Sequence, residues 1–223
     1  MFDGNVLRQY LMKRGVSKVG YTRINVSEFP QFNYGISLVL KLPKDCIQSI
    51  IDEDYEYYWL EFRRQIAKLK EIALDTEKLI KDNSYDAFAM TLKRNEVDME
   101  KLLSKIQYKT LATSSGLGGI GRSALFVTKE YGSAVALSSI LTDMPLEAGN
   151  PITDSFCDDC EECQKACPVD AINPTKWNSR LNREDIIDIK TCSEYVIDQY
   201  KAGLGCSKCL SNCRLTQEYF NSI

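Results

Sequence analysis

Eight of the nine cysteines lie between Cys157 and Cys213, and the first four stand in the run Cys157-Asp-Asp-Cys160-Glu-Glu-Cys163-Gln-Lys-Ala-Cys167-Pro168. The spacing C-x2-C-x2-C-x3-C-P is an iron–sulfur pattern. Three closely spaced thiolates hold three irons of one [4Fe–4S] cube, and the fourth cysteine reaches across to a second cube. A second group of ligands is then required downstream, and Cys192, Cys206, Cys209 and Cys213 supply it. By the crossed rule, Cys157, Cys160, Cys163 and Cys213 hold the first cluster, and Cys167, Cys192, Cys206 and Cys209 hold the second. Thirteen residues separate Cys192 from Cys206, and Arg214 follows Cys213 where a proline would complete the repeat. The second half is therefore a modified half.

Zinc and disulfides are the competing uses of cysteine. Zinc ribbons pair two C-x2-C knuckles into one tetrahedron, whereas successive three-residue steps suit a cube with several metal corners. Disulfides need an oxidising compartment, and the N-terminus Met-Phe-Asp-Gly-Asn has neither the basic nor the apolar region of an export signal. Cys46, in Leu42-Pro-Lys-Asp-Cys46-Ile, stands apart and reads as a small buried residue rather than a ligand. Histidine is absent altogether, which excludes a Rieske centre, histidine-ligated haem, histidine-held zinc and any imidazole acid–base step.

A chain of 223 residues is longer than two cubes require, so the segment before Cys157 must build something else. The expected organisation is an α/β domain over residues 1–150 and a two-cluster domain over 151–223, with Gly149-Asn150-Pro151 as the boundary. No apolar run approaches the ~18 residues of a membrane span, so the chain is expected to be cytoplasmic, without membrane attachment. The net charge of −3 is uneven, since acidic residues outnumber basic ones twelve to eight within 151–223. An acidic excess there suits docking to a basic redox partner and argues against a nucleic-acid footprint. No nucleic-acid partner is expected.

The positioning elements follow from periodicity. Asp3 can cap a helix bearing Val6, Leu7, Tyr10 and Leu11, which Gly15 ends. Strands are expected at Lys18–Thr22, Ile36–Leu42, Tyr85–Leu92 and Ser123–Thr128. The longest helix runs from about Asp54 to Asp82, with Tyr55, Trp59, Phe62, Ile66, Leu69, Ala73 and Ile80 in one core stripe. A short helix is expected at Met99–Ile106.

The second informative segment is Gly116-Leu117-Gly118-Gly119-Ile120-Gly121. Its glycines would let backbone approach a flat or bulky cofactor and leave amides free to face it. Gly116, Gly118 and Gly121 formally satisfy a dinucleotide fingerprint, but that motif follows a strand and opens a helix. Here a helical stretch precedes and a strand follows, so the choice lies between a cofactor edge and a tight turn.

This segment with Arg-Ser-Ala-Leu-Phe-Val-Thr after it, then Tyr131-Gly-Ser-Ala-Val-Ala-Leu, Leu141-Thr-Asp-Met-Pro-Leu, Thr191-Cys192-Ser-Glu-Tyr and the two cysteine groups, closely resembles the epoxyqueuosine reductases and, more distantly, the reductive dehalogenases. The resemblance covers about residues 107–214. It implies a mixed α+β or α/β architecture: a truncated nitroreductase-like domain followed by a bacterial ferredoxin-like two-cluster domain. It also implies cobalamin held without a histidine ligand, fed electrons one at a time for attack on an epoxide or a carbon–halogen bond. The implied function is an iron–sulfur oxidoreductase passing low-potential electrons to a second cofactor or partner, with a small-molecule substrate. The alternative is an electron-transfer module without chemistry of its own, donating to a partner enzyme or a corrinoid protein. Where the epoxyqueuosine reductases place an acidic proton donor, this chain has Ser104-Lys-Ile-Gln-Tyr-Lys-Thr110, which leaves Tyr108 as the candidate acid. Gly119 stands where the family usually has a large aromatic. Neither the family's helical-repeat extension for tRNA nor the dehalogenases' export signal is expected here.

Overall fold

The computed structural model describes residues 2–91, 97–98, 103–104 and 106–222 of a mixed α/β protein. In chain order the elements are α1 (Gly4–Lys13), β1 (Lys18–Arg23), β2 (Tyr34–Lys41), α2 (Lys44–Ile51), α3 (Tyr55–Asp82), β3 (Ala87–Met90), β4 (Val97–Asp98), β5 (Leu103–Ser104), α4 (Tyr108–Ser114), β6 (Gly119–Ile120), β7 (Phe126–Val127), β8 (Val135–Thr142), α5 (Glu162–Lys165), α6 (Ile189–Lys201), α7 (Lys208–Ser211) and α8 (Arg214–Asn221). They form two compact units that interleave along the chain. One comprises residues 1–40, 65–117 and 136–151; the other comprises 41–64, 118–135 and 152–223.

The first unit is built on a sheet ordered β1-β2-β8-β3. β1 and β2 pair antiparallel with Lys18 opposite Val39, and β3 and β8 pair antiparallel with Ala87 opposite Thr142. Helix α1 begins because the Asp3 carboxylate accepts the Asn5 and Val6 amides, both at 2.9 Å, which satisfies donors that have no partner within the helix. It ends because Gly15 adopts φ +88°, the left-handed cap that glycine takes without strain. Leu7 and Leu11 are fully buried. A core cluster of Phe32, Met90, Ile106, Leu111 and Leu141 closes around the sheet.

Strand β8 was not anticipated, although it is an interior strand. Its sequence, Val-Ala-Leu-Ser-Ser-Ile-Leu-Thr, buries Ser138, Ser139 and Thr142. Polar side chains at buried positions dilute the period-two signal that would have marked it. The helix expected at Met99–Ile106 falls for the most part outside the described residues. Leu103–Ser104 within it pair as strand with Val97–Asp98, which corrects that part of the expectation.

In the second unit the short β6–β7 hairpin carries the latter part of the glycine segment, with Gly119 opposite Val127. Helices α5 to α8 carry or adjoin the cysteines. The core beneath them gathers Ala124, Cys163, Ala171, Ile172, Ile186 and Ile187, with Cys167, Cys192 and Cys209 packed against it. Among the described residues, no helix is long and apolar enough to cross a membrane.

Candidate iron–sulfur centres

All nine cysteines are free thiols. Cys157, Cys160, Cys163 and Cys213 line one cavity of about 380 Å³ counted with its open mouth. Val127, Phe156 and Leu215 give the same cavity apolar walls, and Arg122 reaches it from the hairpin. Cys213 is distant in sequence from the other three, and the chain brings it in by running α7 directly into α8.

Electrostatics sort the thiols the same way. Burial pushes the Cys163 thiol up to about 12, and the neighbours that push it further are Cys157, Cys213 and Cys160. Burial pushes Cys209 up to about 12 as well, with Cys206 and Cys192 the leading neighbours, followed by Cys163 and Cys167. Cys192 is raised by burial, then by Cys167 and Cys206. The eight thiols thus fall into two groups of four with crossed membership, and Cys163 and Cys209 lie close enough to feel each other.

Thiols held protonated in this way do not open into thiolates unaided. Metal binding must drive the deprotonation and will release protons as it does so. The residues fit the group that the spacing implies. Four thiols lining one open cavity suit a cube, and among the described residues no three Cys, Asp or Glu side chains converge closely enough for a single metal ion. Backbone amides already serve the sulfurs, since the Ala171 N–H donates to Cys167 Sγ at 3.3 Å.

The loop of Cys206 and Cys209 is covered by the start of α3. A Cβ on Gly205 would lie 2.8 Å from Tyr55 Cδ1 and 2.9 Å from Trp59 Nε1. The buried Tyr58 hydroxyl bonds to Ser207, and burial raises its pKa above the ordinary tyrosine value. Cys46 is fully buried in α2, and burial, with Glu61 adding to it, pushes its thiol up to about 12.

The glycine segment is packed by the chain itself. Gly116 adopts φ +75°, and a Cβ there would lie 2.6 Å from the Asn150 carbonyl oxygen. A Cβ on Gly118 would stand 2.3 Å from the Val127 carbonyl oxygen, and one on Gly119 would stand 3.0 Å from that of Asp154. A Cβ on Gly121 would meet Val127 Cγ2 at 2.9 Å, with Cys157 Sγ at 3.5 Å. Leu117 is buried and Ile120 half-buried. The glycines are needed because the chain's own atoms fill their α-carbon faces, so those faces form no cradle for a corrin. The segment follows helix α4 and enters a hairpin, which is not the strand–turn–helix context of a dinucleotide site.

Tyr108 is likewise committed, because its hydroxyl donates to the Met90 carbonyl and its ring packs on the core. It is not poised as a proton donor. The cavity-lining residue that sequence reading missed is Arg122. Its signal is a charge set inside the otherwise small and apolar run Gly119-Ile-Gly-Arg122-Ser-Ala-Leu-Phe-Val.

No protein-family model matches the chain. An epoxyqueuosine reductase of Lactococcus garvieae is 30% identical over 167 residues, which cover 72% of this chain and 41% of that protein. The chain therefore spans less than half the length of that curated relative. The crystal structure of an epoxyqueuosine reductase with an epoxyqueuosine-modified tRNA-Tyr stem loop aligns at TM-score 0.67 and 17% identity, covering 96% of this chain and 65% of that one. A reductive dehalogenase, whose structure is described as suggesting a mechanism for B12-dependent dehalogenation, aligns at TM-score 0.71 and 19% identity, covering 93% of this chain and 30% of that one. The tRNA-bound relative overturns the expectation that a protein of this kind has no nucleic-acid partner. The physical reason is that net charge averages over a surface, whereas phosphate binding needs only a local cluster of cations. The chain is similar in sequence to the epoxyqueuosine reductases and has the fold that they share with the reductive dehalogenases.

Proposed function

We propose that this chain is an iron–sulfur oxidoreductase with two [4Fe–4S] clusters, passing low-potential electrons to a second cofactor or partner in corrinoid-linked reductive chemistry. The observation that carries the reading is the sorting of eight thiols into two crossed groups of four, one of them lining a single cavity. Cys157, Cys160, Cys163 and Cys213 would hold the first cluster, and Cys167, Cys192, Cys206 and Cys209 the second. Bound clusters supply one-electron transfer at potentials set by charge, hydrogen bonds to sulfur and exposure. The chain's residues set those terms. Val127, Phe156 and Leu215 give the first group apolar walls, and the Ala171 amide holds the Cys167 sulfur of the second.

A truncated nitroreductase-like domain followed by a ferredoxin-like two-cluster domain is the arrangement that this reading takes over from the resemblance. The B12-dependent relative supports a corrinoid as the acceptor. No step is assigned through it. The tRNA-bound relative makes a tRNA-borne substrate the first to try beside small molecules.

The test is anaerobic purification followed by iron and sulfide assay, with about eight of each expected per chain for two cubes. Titration of the reduced protein with cob(II)alamin, followed by visible absorption and electron paramagnetic resonance, then tests the acceptor. Zinc in place of iron after anaerobic reconstitution would overturn the clusters. Full clusters with no cobalamin response at any concentration would leave an electron-transfer module instead.

A further inference from the structure

We infer that Arg122 is a positioning residue for the first cluster, its buried guanidinium balancing the cluster's negative charge and raising its reduction potential. The inference rests on the reading of the cysteine-lined cavity as that cluster's seat.

Arg122 is only 4% exposed, and it lines the cavity together with Cys157, Cys160, Cys163 and Cys213. A guanidinium stays charged in proteins and offers five N–H donors. The partners that Arg122 has are neutral. Its Nη1 donates to the Pro174 carbonyl at 2.8 Å and to Gln164 Oε1 at 3.5 Å, and its Nη2 donates to the Asp158 carbonyl at 3.3 Å.

Among the described residues no carboxylate bonds to the guanidinium, and Asp159, which feels its charge, is held by Lys176 first. The Asp158 side chain pairs with Arg214 at 3.5 Å. Asp159 is exposed and bonded to Lys176 at 2.7 Å. Among the described residues no acid forms an ion pair with Arg122. Its Nε is buried and has no hydrogen-bond partner.

An unpaired buried charge with an orphaned donor is costly enough that native proteins rarely keep one. A cube bound by four thiolates is an anion, and it would occupy the one wall of this environment that carries sulfur. The other cation on the cavity, Arg214, is half exposed and already paired with Asp158, so it cannot do the same work.

The hairpin holds Arg122 in place. The Ala124 amide donates to the Gly121 carbonyl at 2.9 Å, and the Gly121 amide donates to the Leu125 carbonyl at 2.8 Å. The resulting tight turn sets Gly121 against Cys157 Sγ, and the neutral acceptors anchor the far end of the side chain. Reduction adds one electron from a one-electron donor, breaks no bond and adds one negative charge beside a fixed positive one. Arg122 therefore stabilises the reduced state more than the oxidised state.

The experiment uses the full chain, purified anaerobically, as Arg122→Gln and Arg122→Lys, each also in a Cys167→Ser background that isolates the first cluster's signal. Iron and sulfide are assayed first. Each protein is then titrated with dithionite while electron paramagnetic resonance reports both clusters. In Arg122→Gln the first cluster's midpoint should fall by about 59 mV or more, a tenfold change in its reduced-to-oxidised ratio at fixed potential. The second cluster should not move. Arg122→Lys keeps the charge but loses the planar fork, so it should fall part of the way. Full clusters with an unchanged first midpoint in Arg122→Gln would overturn the inference and leave the cluster reading standing. If Arg122→Gln loses the first cluster, Arg122→Lys decides: a first cluster retained there, where the charge is kept, supports the inference, and a first cluster lost there as well overturns it, because the shape of the side chain and not its charge is then what the site needs. A wild-type chain without iron at these cysteines would defeat the cluster reading itself.

Discussion

Gly132 lies so close to Thr216 that a Cβ on the glycine would stand 2.1 Å from the threonine amide nitrogen. The contact is reinforced from both sides. Thr216 is fully buried, its Oγ1 accepts the Ser133 amide at 2.9 Å, and the two hydroxyls lie 3.1 Å apart. Thr216 sits in the first turn of α8, two residues beyond Arg214, so this contact holds the start of the helix that Cys213 caps. Gly132 also adopts φ +57°, so a side chain there meets both a clash and a strained backbone.

Gly132→Ala should therefore destabilise the chain by about 1–3 kcal/mol or more from overpacking alone. It should also lower occupancy of the first cluster ahead of the second. Urea unfolding with parallel iron assay and electron paramagnetic resonance checks both. Equal loss of the two signals would show that α8 does not position Cys213.

The crossed pairing makes a sharper demand. Cys167 lies in the first motif, but its electrostatic neighbours are Cys192 and Cys209. Cys167→Ser should damage the second cluster and spare the first, and Cys213→Ser should do the reverse. Signals from each variant after anaerobic reconstitution separate the cases. Loss of the first cluster alone in Cys167→Ser would reverse the assignment.

Much of this was legible because it rests on local rules. The cysteine spacing announces the grouping of the thiols, Asp3 and Gly15 announce the two ends of α1, and the stripe from Tyr55 to Ile80 announces α3. What could not be read depends on tertiary context. Ser138 and Ser139 conceal β8 because they are buried by the sheet around them. Helix α2 starts immediately after Pro43 and carries Lys44 and Asp45 in its first turn, so its apolar signal is short. Arg122 looks like any surface cation until its burial is known. The glycines of 116–121 signalled close approach correctly, but sequence alone does not say whether a cofactor or the chain's own backbone does the approaching.

The first unit has an alkaline limit. Burial, more than any charge, raises the Tyr21 phenol from 10.0 to about 12, with Arg8 acting in the opposite sense. Its hydroxyl donates to the Gly4 carbonyl at 2.6 Å. The unfolded chain releases this proton from about pH 10, while the folded chain keeps it until about pH 12. Tyr21 therefore contributes stability that is intact below pH 10 and declines between those values, by up to about 3 kcal/mol for a shift of this size. Urea midpoints measured across that window should fall in wild type and fall less in Tyr21→Phe. Parallel curves for the two proteins would remove Tyr21 as the cause.

The glycine segment gives the last test, because the two uses of glycine predict different losses. If Gly118 served only to admit a ligand, a side chain there would leave the ligand-free protein intact and abolish binding. The packing points to a structural use: a Cβ would stand 2.3 Å from the Val127 carbonyl oxygen and 2.7 Å from Phe126 Cζ, against the strand β7 that pairs with the residues directly after Gly118. Backbone cannot move aside as a flexible side chain can, so the hairpin must open or shift. Gly118→Val should destabilise the cluster-free chain, by at least the 1–3 kcal/mol typical of overpacking. It should also loosen the turn that sets Gly121 beside Cys157, so that the first cluster assembles less completely than the second. Urea unfolding of the apo-protein, followed by anaerobic reconstitution and iron assay, reads both effects. Unchanged apo-protein stability in Gly118→Val, with ligand binding lost, would return the segment to the role of a cofactor edge.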